Sequence, residues 1–317
     1  MKKSLSMTVI FDGGNLNFGE STGNMASIKK FKQKGKTYTY MSRQALRYDI
    51  VRIMHEYMSM PESPVRLDKS VVQFAIEATP EKFVEVDLFG YMKTNVGKKD
   101  KKDKKEETEN DEVGGNESGS TFTRKACVRI NDAISLEPYM GEVSFSTNAG
   151  LSSRFDEENK NMIFNAETHR SLYTYTFTID LDKIGKDDNY KVNLDGTEKA
   201  RRVNMLLEAI KILYRDIRGY REDLSPIFVI GGMYNIGNPL FYNKLKVNYE
   251  KGKAYLNVAE IEEIMNKEFL GEKVGNSTLI GSTTNEFVNI SDFNSNILTV
   301  DSMFKNISKQ VEEYYKD

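Results

Sequence analysis

The stretch SLYTYTFTIDLD, from Ser171 to Asp182, decides the fold class, because apolar and polar side chains alternate along it without a break. Alternation with a period of two is typical of a β-strand that buries one face. One face carries the larger apolar side chains, Tyr173, Tyr175, Phe177, Ile179 and Leu181, and the other carries Thr174, Thr176 and Thr178. The pattern predicts a long strand within a sheet that has one strongly apolar face.

Segments on both sides of this strand predict the rest of the core. In chain order they are a strand from Ser4 to Phe11, a helix from Arg43 to Met58 with Ser42 as its N-cap, a strand from Phe83 to Met92, the strand from Ser171 to Asp182, a helix from Thr197 to Arg218 and a strand from Pro226 to Ile230. The order β, α, β, β, α, β predicts an α+β fold of the ferredoxin-like type, which RNA-recognition modules also use. In that fold helices cover one sheet face and the other stays available for a ligand.

The remainder of the chain reads as elaboration of one domain that spans residues 1–317. A loop, GGMYNIGNP, follows from Gly231, then the strand-like YNKLKVNYEKGKAYLNV, and two helices from Ala259 to Phe269 and from Val300 to Tyr315. The segment from Gly97 to Ser120 has one apolar residue, six Lys and eight acids. Because it cannot bury a core, we expect a mobile charged insertion there.

Composition excludes several classes of function. No apolar run approaches the length of about 18 residues that a membrane helix needs, and a continuous apolar signal segment is lacking, so we expect a cytoplasmic protein. Cys127 is the only cysteine, and His55 and His169 are the only histidines. We therefore expect neither a disulfide nor a zinc site, and no cofactor.

A basic segment from Ser27 to Arg52 stands out in a chain whose formal net charge is only −2, because it holds eight Lys or Arg residues against one acid, Asp49. Clustered positive charge is typical of a polyanion site. A solvated face that merely keeps the protein soluble is the alternative. The lysines of this basic segment are expected in the loop before the helix, interleaved with Phe31 and Tyr38, a mixture suited to a charged groove with stacking surfaces. They are Lys29, Lys30, Lys32, Lys34 and Lys36.

The helix that follows this segment offers phosphate contacts. Arg43 and Arg47 are four residues apart, so both guanidinium groups are expected on one exposed helix face, with Gln44 near the helix N-terminus. Guanidinium groups and a helix N-terminus both suit phosphate. This arrangement predicts a site that holds the backbone of a nucleic acid.

Other candidate residues are individually weaker. Asp12 follows the first strand and is either a metal ligand or, as the neighbouring glycines favour, a surface-turn carboxylate. His169 precedes the long strand and has either a structural or a ligand-stacking role, since no Ser or Cys motif marks it as a general base. Amide side chains that can contact sugar or base, or simply form turns, are Asn15, Asn17, Asn148 and Asn235.

Several spaced motifs together resemble the RAMP-superfamily backbone subunit of type I CRISPR interference complexes, the seventh Cas subunit family, in its DevR branch associated with type I-B. They are LNFGE after the first strand, YMSRQALRYDI at the first helix, AISLEPYMGEVSFSTNAGL, FNAETHRSLYTYTFTIDLD and GGMYNIGNP. The resemblance covers most of the chain, and several motifs in the right order are more specific than any one alone.

The resemblance implies an RRM-like palm that polymerises along a CRISPR guide RNA and presents it for pairing with target DNA, while a separate helicase-nuclease cuts. Other Cascade subunits would be partners, and a thumb would displace bases, with residues 143–169 as the candidate region. The residues expected to bind RNA are Asn15, Asn17, Lys29, Lys30, Lys32, Ser42, Arg43, Gln44, Arg47, Asn148, Arg154, His169, Arg170 and Asn235. No catalytic residue is expected, and guide pairing would read base identity.

Two alternatives stay open at this point. One is a type III-like subunit that cleaves target RNA with a divalent metal, for which Asp12 or Asp49 would have to serve. The other is a free-standing regulatory RNA or DNA binder. A backbone subunit would bind in regular steps of a few nucleotides with strong salt dependence, whereas a regulator would leave one footprint at a preferred sequence.

Overall fold

The first strand of the chain, Ser4–Gly14, lies at the centre of the largest sheet in the computed structural model, which describes residues 3–68, 70–94, 121–154, 163–283 and 286–316. The described residues form a mixed α+β fold with far more strand than helix. The predicted insertion at 97–120 lies outside the described residues. Among those residues, no helix combines the length and the apolar character needed to cross a membrane.

The strands are β1 (Ser4–Gly14), β2 (Phe18–Thr22), β3 (Met25–Ile28), β4 (Lys30–Gln33), β5 (Lys36–Met41), β6 (Val65–Asp68), β7 (Val71–Phe74), β8 (Tyr91–Thr94), β9 (Thr121–Arg124), β10 (Val128–Ile130), β11 (Ala133–Ser135), β12 (Val143–Thr147), β13 (Ile163–Glu167), β14 (Arg170–Asp180), β15 (Lys186–Asp187), β16 (Val192–Asn193), β17 (Tyr214–Ile217), β18 (Tyr220–Asp223), β19 (Phe228–Tyr234), β20 (Val247–Glu250), β21 (Lys253–Leu256), β22 (Glu268–Phe269), β23 (Glu272–Lys273), β24 (Thr278–Ser282) and β25 (Ile297–Leu298). The α-helices are α1 (Arg43–Met58), α2 (Val84–Phe89), α3 (Ala149–Ser152), α4 (Gly196–Lys211), α5 (Val258–Met265) and α6 (Val300–Lys316). Short 3₁₀ helices span Leu181–Lys183, Val274–Ser277 and Ile290–Asp292.

The central sheet runs in the order β25-β24-β19-β1-β14-β11-β5-β4, and β10 also pairs with β14. β1 pairs antiparallel with β14 from Ser4 opposite Asp180 to Gly14 opposite Arg170, and with β19 on its other side. The helix α1 follows β1 in the chain, after the β2–β5 strands, and α4 lies between β14 and β19. The long strand and the first helix are thus confirmed, the helix with its predicted bounds and with Ser42 as N-cap.

The two faces of this sheet pack against two different cores. Apolar residues of β1 and β14 on one face pack with α1, α4 and α6, as the sequence pattern predicts, and include Leu5, Met7, Val9, Phe11, Tyr173, Tyr175, Phe177 and Ile179. On the other face Ile10, Leu172 and Phe228 join a second core that includes α5, β20 and β21. The expectation that the second face stays open for a ligand therefore holds at most in part, because the C-terminal elaboration covers Ile10, Leu172 and Phe228 on that face.

The loop at residues 235–246 lies against this second face. Gly237 is close to both Ser4 and Asp180, since a Cβ built on it would lie 3.3 Å from the Ser4 Oγ. Further along, Phe241 is buried in the second core and Tyr242 comes beside Ile130. The loop therefore crosses from the Ser4 end of the sheet to the neighbourhood of β10.

Two glycines fix how β19 fits between its neighbours. A Cβ on Gly231 would lie 2.1 Å from the carbonyl oxygen of Ser6, and one on Gly232 would lie 1.8 Å from that of Ser277. Neither distance is possible for a real side chain. The pair therefore lets β1, β19 and the segment before β24 approach closely, and the predicted loop GGMY is instead the end of β19.

The segment from Phe83 to Met92, predicted as a strand, forms α2 followed by β8. Gly90 separates them with a φ of 71°, and a Cβ there would lie 2.4 Å from the carbonyl oxygen of Arg124. Short apolar runs fit a buried helix as well as a strand, so the pattern alone did not discriminate.

The helix predicted from Thr197 to Arg218 ends at Lys211, and the last part of the predicted segment forms β17 and the start of the turn that leads to β18. Arg218 and Gly219 form the turn with φ values of 49° and 82°, which is the two-residue geometry that joins tightly twisted strands. The strand predicted from Pro226 to Ile230 is β19, and the helices predicted from Ala259 and Val300 are α5 and α6.

The segment YNKLKVNYEKGKAYLNV contains the hairpin of β20 and β21. Residues Lys30 to Met41 form the hairpin of β4 and β5 rather than a loop.

A buried ionic cluster joins α2 to the segment around α4. Asp87 is fully buried, and its carboxylate accepts hydrogen bonds from Arg124 at 2.6 Å, from Arg202 at 2.9 Å and from the backbone N–H of Gly185 at 3.0 Å. Arg202 also donates to the carbonyl oxygens of Pro80 and Glu81. A buried charge is tolerated only when it is paired and hydrogen-bonded in this way.

Candidate nucleic-acid interface

The N-terminus of α1 presents two exposed polar side chains, Arg43 and Gln44. Ser42 has extended backbone angles and its Oγ accepts a hydrogen bond from the N–H of Ala45 at 3.4 Å, so it caps the helix. The backbone N–H of Arg43 donates a hydrogen bond to the Asp132 carboxylate at 2.7 Å. The cap holds Arg43 and Gln44 at the start of the helix, where the helix dipole favours an anion.

A groove of about 630 Å³ opens beside this helix end. Its lining residues are Lys29, Tyr40, Ser42, Arg43, Gln44, Ile130, Asn131, Asp132 and Tyr242. Lys29 and Arg43 supply two positive charges against the single carboxylate of Asp132, and the other side chains offer hydrogen-bonding groups and two aromatic rings. We call this feature the helix-end groove; its chemistry suits a phosphate backbone with adjacent sugars or bases.

Asn17 connects the two walls of the helix-end groove. Its backbone oxygen accepts from the N–H of Lys29 at 2.8 Å, and its side-chain oxygen accepts from the N–H of Ser42 at 3.0 Å. Because Asn17 is 9% exposed, its role in the described structure is to hold the walls in place rather than to present an amide to a ligand.

Arg47 does not share the face of Arg43. Its guanidinium pairs with Glu85 at 3.0 Å and lies 4.6 Å from the ring centroid of Phe89. It lines a separate groove of about 840 Å³ between α1 and the β6–β7 hairpin. The structure therefore separates the two arginines that sequence spacing brings together, because α2 engages one of them.

The lysines of the basic segment lie in the hairpin of β4 and β5, except for Lys29, which immediately precedes β4. Lys29 belongs to the helix-end groove, whereas Lys30 forms an ion pair with Glu167 and lies 5.0 Å from the ring of Tyr139. Lys32 is exposed, and Phe31 is half-buried and stacked on Tyr38 with ring centroids 6.0 Å apart. Of the predicted lysines, only Lys29 lies in the helix-end groove.

His169 is buried and has a structural position. Its Nδ1 lies 2.7 Å from the Thr39 hydroxyl, and its backbone N–H and carbonyl both bond to Asn15. Burial lowers the pKa of His169, against the opposing effect of Glu137 and Glu142. The stacking role for this residue is not available in the described structure, because the ring is only 8% exposed and packs edge-on against Tyr139 and Tyr173.

Arg170 and the remaining candidates lie apart from the helix-end groove. Arg170 is exposed, but its guanidinium pairs with Asp12 at 2.8 Å and approaches Glu222 at 3.7 Å. Asn148 and Arg154 flank α3 between β12 and β13, which belong to a four-stranded sheet with β3 and β2. The structure thus brings together Lys29, Ser42, Arg43 and Gln44, and Asn17 bonds to two of them. Asn15 and His169 bond to each other and are not among the residues that line this groove.

Asn235 and Asn15 lie at opposite ends of the central sheet. Asn235 follows Tyr234, which pairs with Ser4, whereas Asn15 follows Gly14 at the far end of the same strand. The Asn235 side chain donates a hydrogen bond to Glu272 at 2.7 Å. Asn235 is not among the residues that line the helix-end groove.

Sequence reasoning missed the residues that complete the groove, above all Tyr40, Asn131, Asp132 and Tyr242. Tyr40 occurs in the alternating TYTYM of β5, a signal that marks a strand but not a ligand contact. Tyr242 reaches the groove because the loop at 235–246 crosses the sheet, and no local sequence pattern predicts that path.

The carboxylates considered for metal-dependent cleavage are held by arginines. Asp12 pairs with Arg170, and the buried Asp49 pairs with Arg215 at 2.6 Å and with Arg52 at 3.5 Å. Burial nevertheless raises the pKa of Asp49. Within the described ranges, no group of three or more His, Cys, Asp or Glu side chains is arranged to hold a metal ion.

Comparison with solved structures identifies the same fold elsewhere. One chain of a "CRISPR RNA-guided surveillance complex, pre-nicking" matches 97% of this chain and 100% of its own length with a TM-score of 0.57 and 10% identity. A chain of another "CRISPR RNA-guided surveillance complex" matches 98% of this chain and 100% of its own length with a TM-score of 0.56 and 13% identity. At these identities the likeness shows a shared fold.

Sequence comparison identifies the family. "CRISPR-associated protein Cas7/Cst2/DevR" of Myxococcus xanthus (strain DK1622) is 22% identical over 168 residues, which are 50% of this chain and 51% of that relative. The chain therefore spans about half the length of this curated relative. The family model for "CRISPR-associated negative auto-regulator DevR/Csa2" matches residues 5–252, well over half of the chain. The chain belongs to the DevR/Csa2 family of CRISPR-associated proteins.

Proposed function

We propose that this protein is a non-catalytic backbone subunit of a type I-B CRISPR surveillance complex. Several copies bind one guide RNA without regard to sequence and present it for pairing with target DNA. Other Cascade subunits complete the assembly, and a separate helicase-nuclease cuts the target. The site of action is the cytoplasm.

The observation that carries this proposal is the helix-end groove. Arg43, Gln44 and Lys29 offer charge and hydrogen bonds at the start of a helix, a combination that suits phosphate oxygens of any sequence. Base-specific recognition would instead need several side chains aimed at base edges. Family membership and the likeness to chains of guide-containing complexes support the same function.

The topology supports an RRM-like palm within a single domain. The order β19-β1-β14-β10, with α1 before β10 and α4 between β14 and β19, corresponds to the ferredoxin-like arrangement of two split βαβ units. We further propose that residues 143–169 form the thumb. The exposed rings of Phe145 and Phe164 in β12 and β13 support this assignment, because exposed aromatic side chains can stack between displaced bases.

A free-standing regulatory nucleic-acid binder is the second candidate, because the family description itself contains the words "negative auto-regulator". The two functions differ in how they occupy RNA. A backbone subunit protects the guide in regular steps, whereas a regulator protects one site with a preferred sequence. Metal-dependent cleavage, the third possibility, is less favoured because arginines already engage Asp12 and Asp49.

The decisive experiment is co-expression of the chain with a CRISPR array, followed by purification, sequencing of bound RNA and nuclease footprinting. Intact guide RNA with regularly spaced protection would support the proposal. Guide-free protein, or a single footprint at one sequence, would contradict it. Regularly spaced cuts in complementary RNA on addition of Mg²⁺ would show the catalytic alternative instead.

Matched variants make the experiment specific for the helix-end groove. The double change Arg43→Ala and Gln44→Ala removes two exposed groups at the groove and should reduce the recovered RNA. Arg201→Ala removes an arginine of α4 that pairs with Glu198 at 2.6 Å, and it should leave recovery unchanged. If both variants lost the same amount of bound RNA, the binding would depend on overall positive charge and not on the helix-end groove.

A further inference from the structure

Phe18 and Arg218 form a stacked pair on the surface. The guanidinium carbon of Arg218 lies 4.0 Å from the ring centroid of Phe18. Arg218 occupies the turn of the hairpin formed by β17 and β18, and it is exposed to solvent. The guanidinium therefore lies over the ring, and the Arg218 side chain is still exposed to solvent.

The charge of Arg218 is the least compensated on this hairpin. Arg215 pairs with Asp49 at 2.6 Å, and Arg221 pairs with Asp216 at 2.8 Å. Arg218 has no carboxylate within ion-pair distance in the part of the chain that the structure describes. A cation that is stacked on a ring but unneutralised remains available to an anionic or π-rich ligand.

The Phe18–Arg218 stack adjoins the helix-end groove. Phe18 is the residue after Asn17, so their Cα atoms are about 3.8 Å apart, and Asn17 bonds directly to Lys29 and Ser42 of the groove. The hairpin is held against this loop because Arg215 Nε donates to the carbonyl oxygen of Leu16 at 2.8 Å. The position of the stack relative to the groove is thus fixed by hydrogen bonds on both sides.

We propose that the Phe18–Arg218 stack is a base-stacking site for a nucleotide of single-stranded RNA whose backbone lies in the helix-end groove. This rests on the proposed function and adds a contact to the base rather than to the phosphate. A guanidinium plane supported by an aromatic ring accepts the π-face of any base, which keeps the contact independent of sequence. Tyr220, 66% exposed at the other side of the turn, offers a second ring to a neighbouring base.

Two fluorescent probes of equal length separate base stacking from charge: a labelled oligoadenylate and a labelled oligomer of abasic sites. Arg218→Gln should weaken binding of the oligoadenylate about 5- to 30-fold, and it should weaken the abasic oligomer much less. Arg221→Gln, in the same hairpin but neutralised by Asp216, is the matched control and should change neither affinity. Phe18→Leu removes the ring while keeping apolar bulk, and it should reproduce the loss on the oligoadenylate.

The outcomes distinguish this inference from the proposed function. Wild-type protein that binds neither probe would refute RNA binding itself. Wild-type binding that Arg43→Ala weakens and Arg218→Gln does not would overturn only the stacking site. Equal weakening of both probes by Arg218→Gln would make the arginine a phosphate contact, and a change in self-association without a change in RNA affinity would make it a contact between copies; both results also overturn the inference.

Discussion

The guanidinium of Arg202 donates a hydrogen bond to the carboxylate of Asp87 at 2.9 Å, and these side chains are 2% and 0% exposed. Each is therefore held in the interior by the other, across 115 positions of sequence. The pair fastens α2 to α4, and α4 packs on the same side of the sheet as α1. The rigidity of the helix layer thus depends in part on a buried ion pair as well as on apolar packing.

Arg202→Met should lower the free energy of unfolding by about 3–5 kcal/mol, because it leaves the Asp87 carboxylate buried with less compensation. Urea denaturation measures the change. Arg201→Met, at the next position of the same helix, removes only an exposed pair with Glu198 and should cost at most about 1 kcal/mol. Similar losses from the two variants would contradict the role assigned to burial.

Stability should fall as the pH drops from about 7 to about 5, in part because of His169. Burial lowers the pKa of His169 in the folded state, so the unfolded state binds its proton first. The contribution is fully present above the unfolded pKa of about 6.5 and is lost as the pH falls through and below that value. Its slope is at most about 1.4 kcal/mol per pH unit.

His169→Gln should therefore flatten the dependence of the free energy of unfolding on pH in this window. His55→Gln is the control, since the His55 side chain is 45% exposed and the protein has no other histidine. Urea denaturation at a series of pH values gives both slopes. A slope that depends on His55 and not on His169 would be the contrary result.

Arg43→Ala should weaken RNA binding by about 1.5–3 kcal/mol, the cost of one charged hydrogen bond. It should also reduce the dependence of log affinity on log salt by about one. Arg47→Ala, one helical turn later, should weaken binding less, because Arg47 is already paired with Glu85. Fluorescence anisotropy at low and moderate salt tests both, and equal effects would mean that Arg47 leaves Glu85 to reach the RNA.

Gly232→Ala should lower the free energy of unfolding by about 1–3 kcal/mol or more. A methyl group there would lie 1.8 Å from the carbonyl oxygen of Ser277, so the backbone before β24 would have to move away from β19. Gly150→Ala is a matched control, because a Cβ at that position meets nothing within 4 Å. Thermal unfolding of both variants checks the prediction, and an unchanged melting temperature for Gly232→Ala would refute it.

Residues 171–182 and 43–58 show how far local sequence determines this fold. Both segments have one apolar face at a clear period, and the structure places a strand at Arg170–Asp180 and a helix at Arg43–Met58. The spacing of apolar residues gave a wrong prediction where the same residues suit both a helix and a strand. Leu213 and Tyr214 continue the helical stripe of α4, but the turn at Arg218 and Gly219 lets the chain form β17 and β18 instead.

The candidate site was predictable only where neighbours in sequence are neighbours in space. Ser42, Arg43 and Gln44 are consecutive, so a helix start brings them together without any knowledge of tertiary structure. Arg47 was misplaced because Glu85, from a distant segment, binds it. Tyr242 was missed because it lies far from Arg43 in sequence and reaches the groove only through the path of its loop.

The position of β1 in the middle of the sheet has a consequence for how the protein is made. Its main partner, β14, follows roughly 160 residues later, so at 5–20 residues per second the ribosome leaves β1 unpaired for about 10 to 30 s. During that interval Leu5, Met7, Val9 and Phe11 lack the layer that buries them in the finished protein. The nascent chain thus exposes these apolar side chains through roughly half of its synthesis, and we expect slower translation or a lack of chaperones to lower the yield of folded protein.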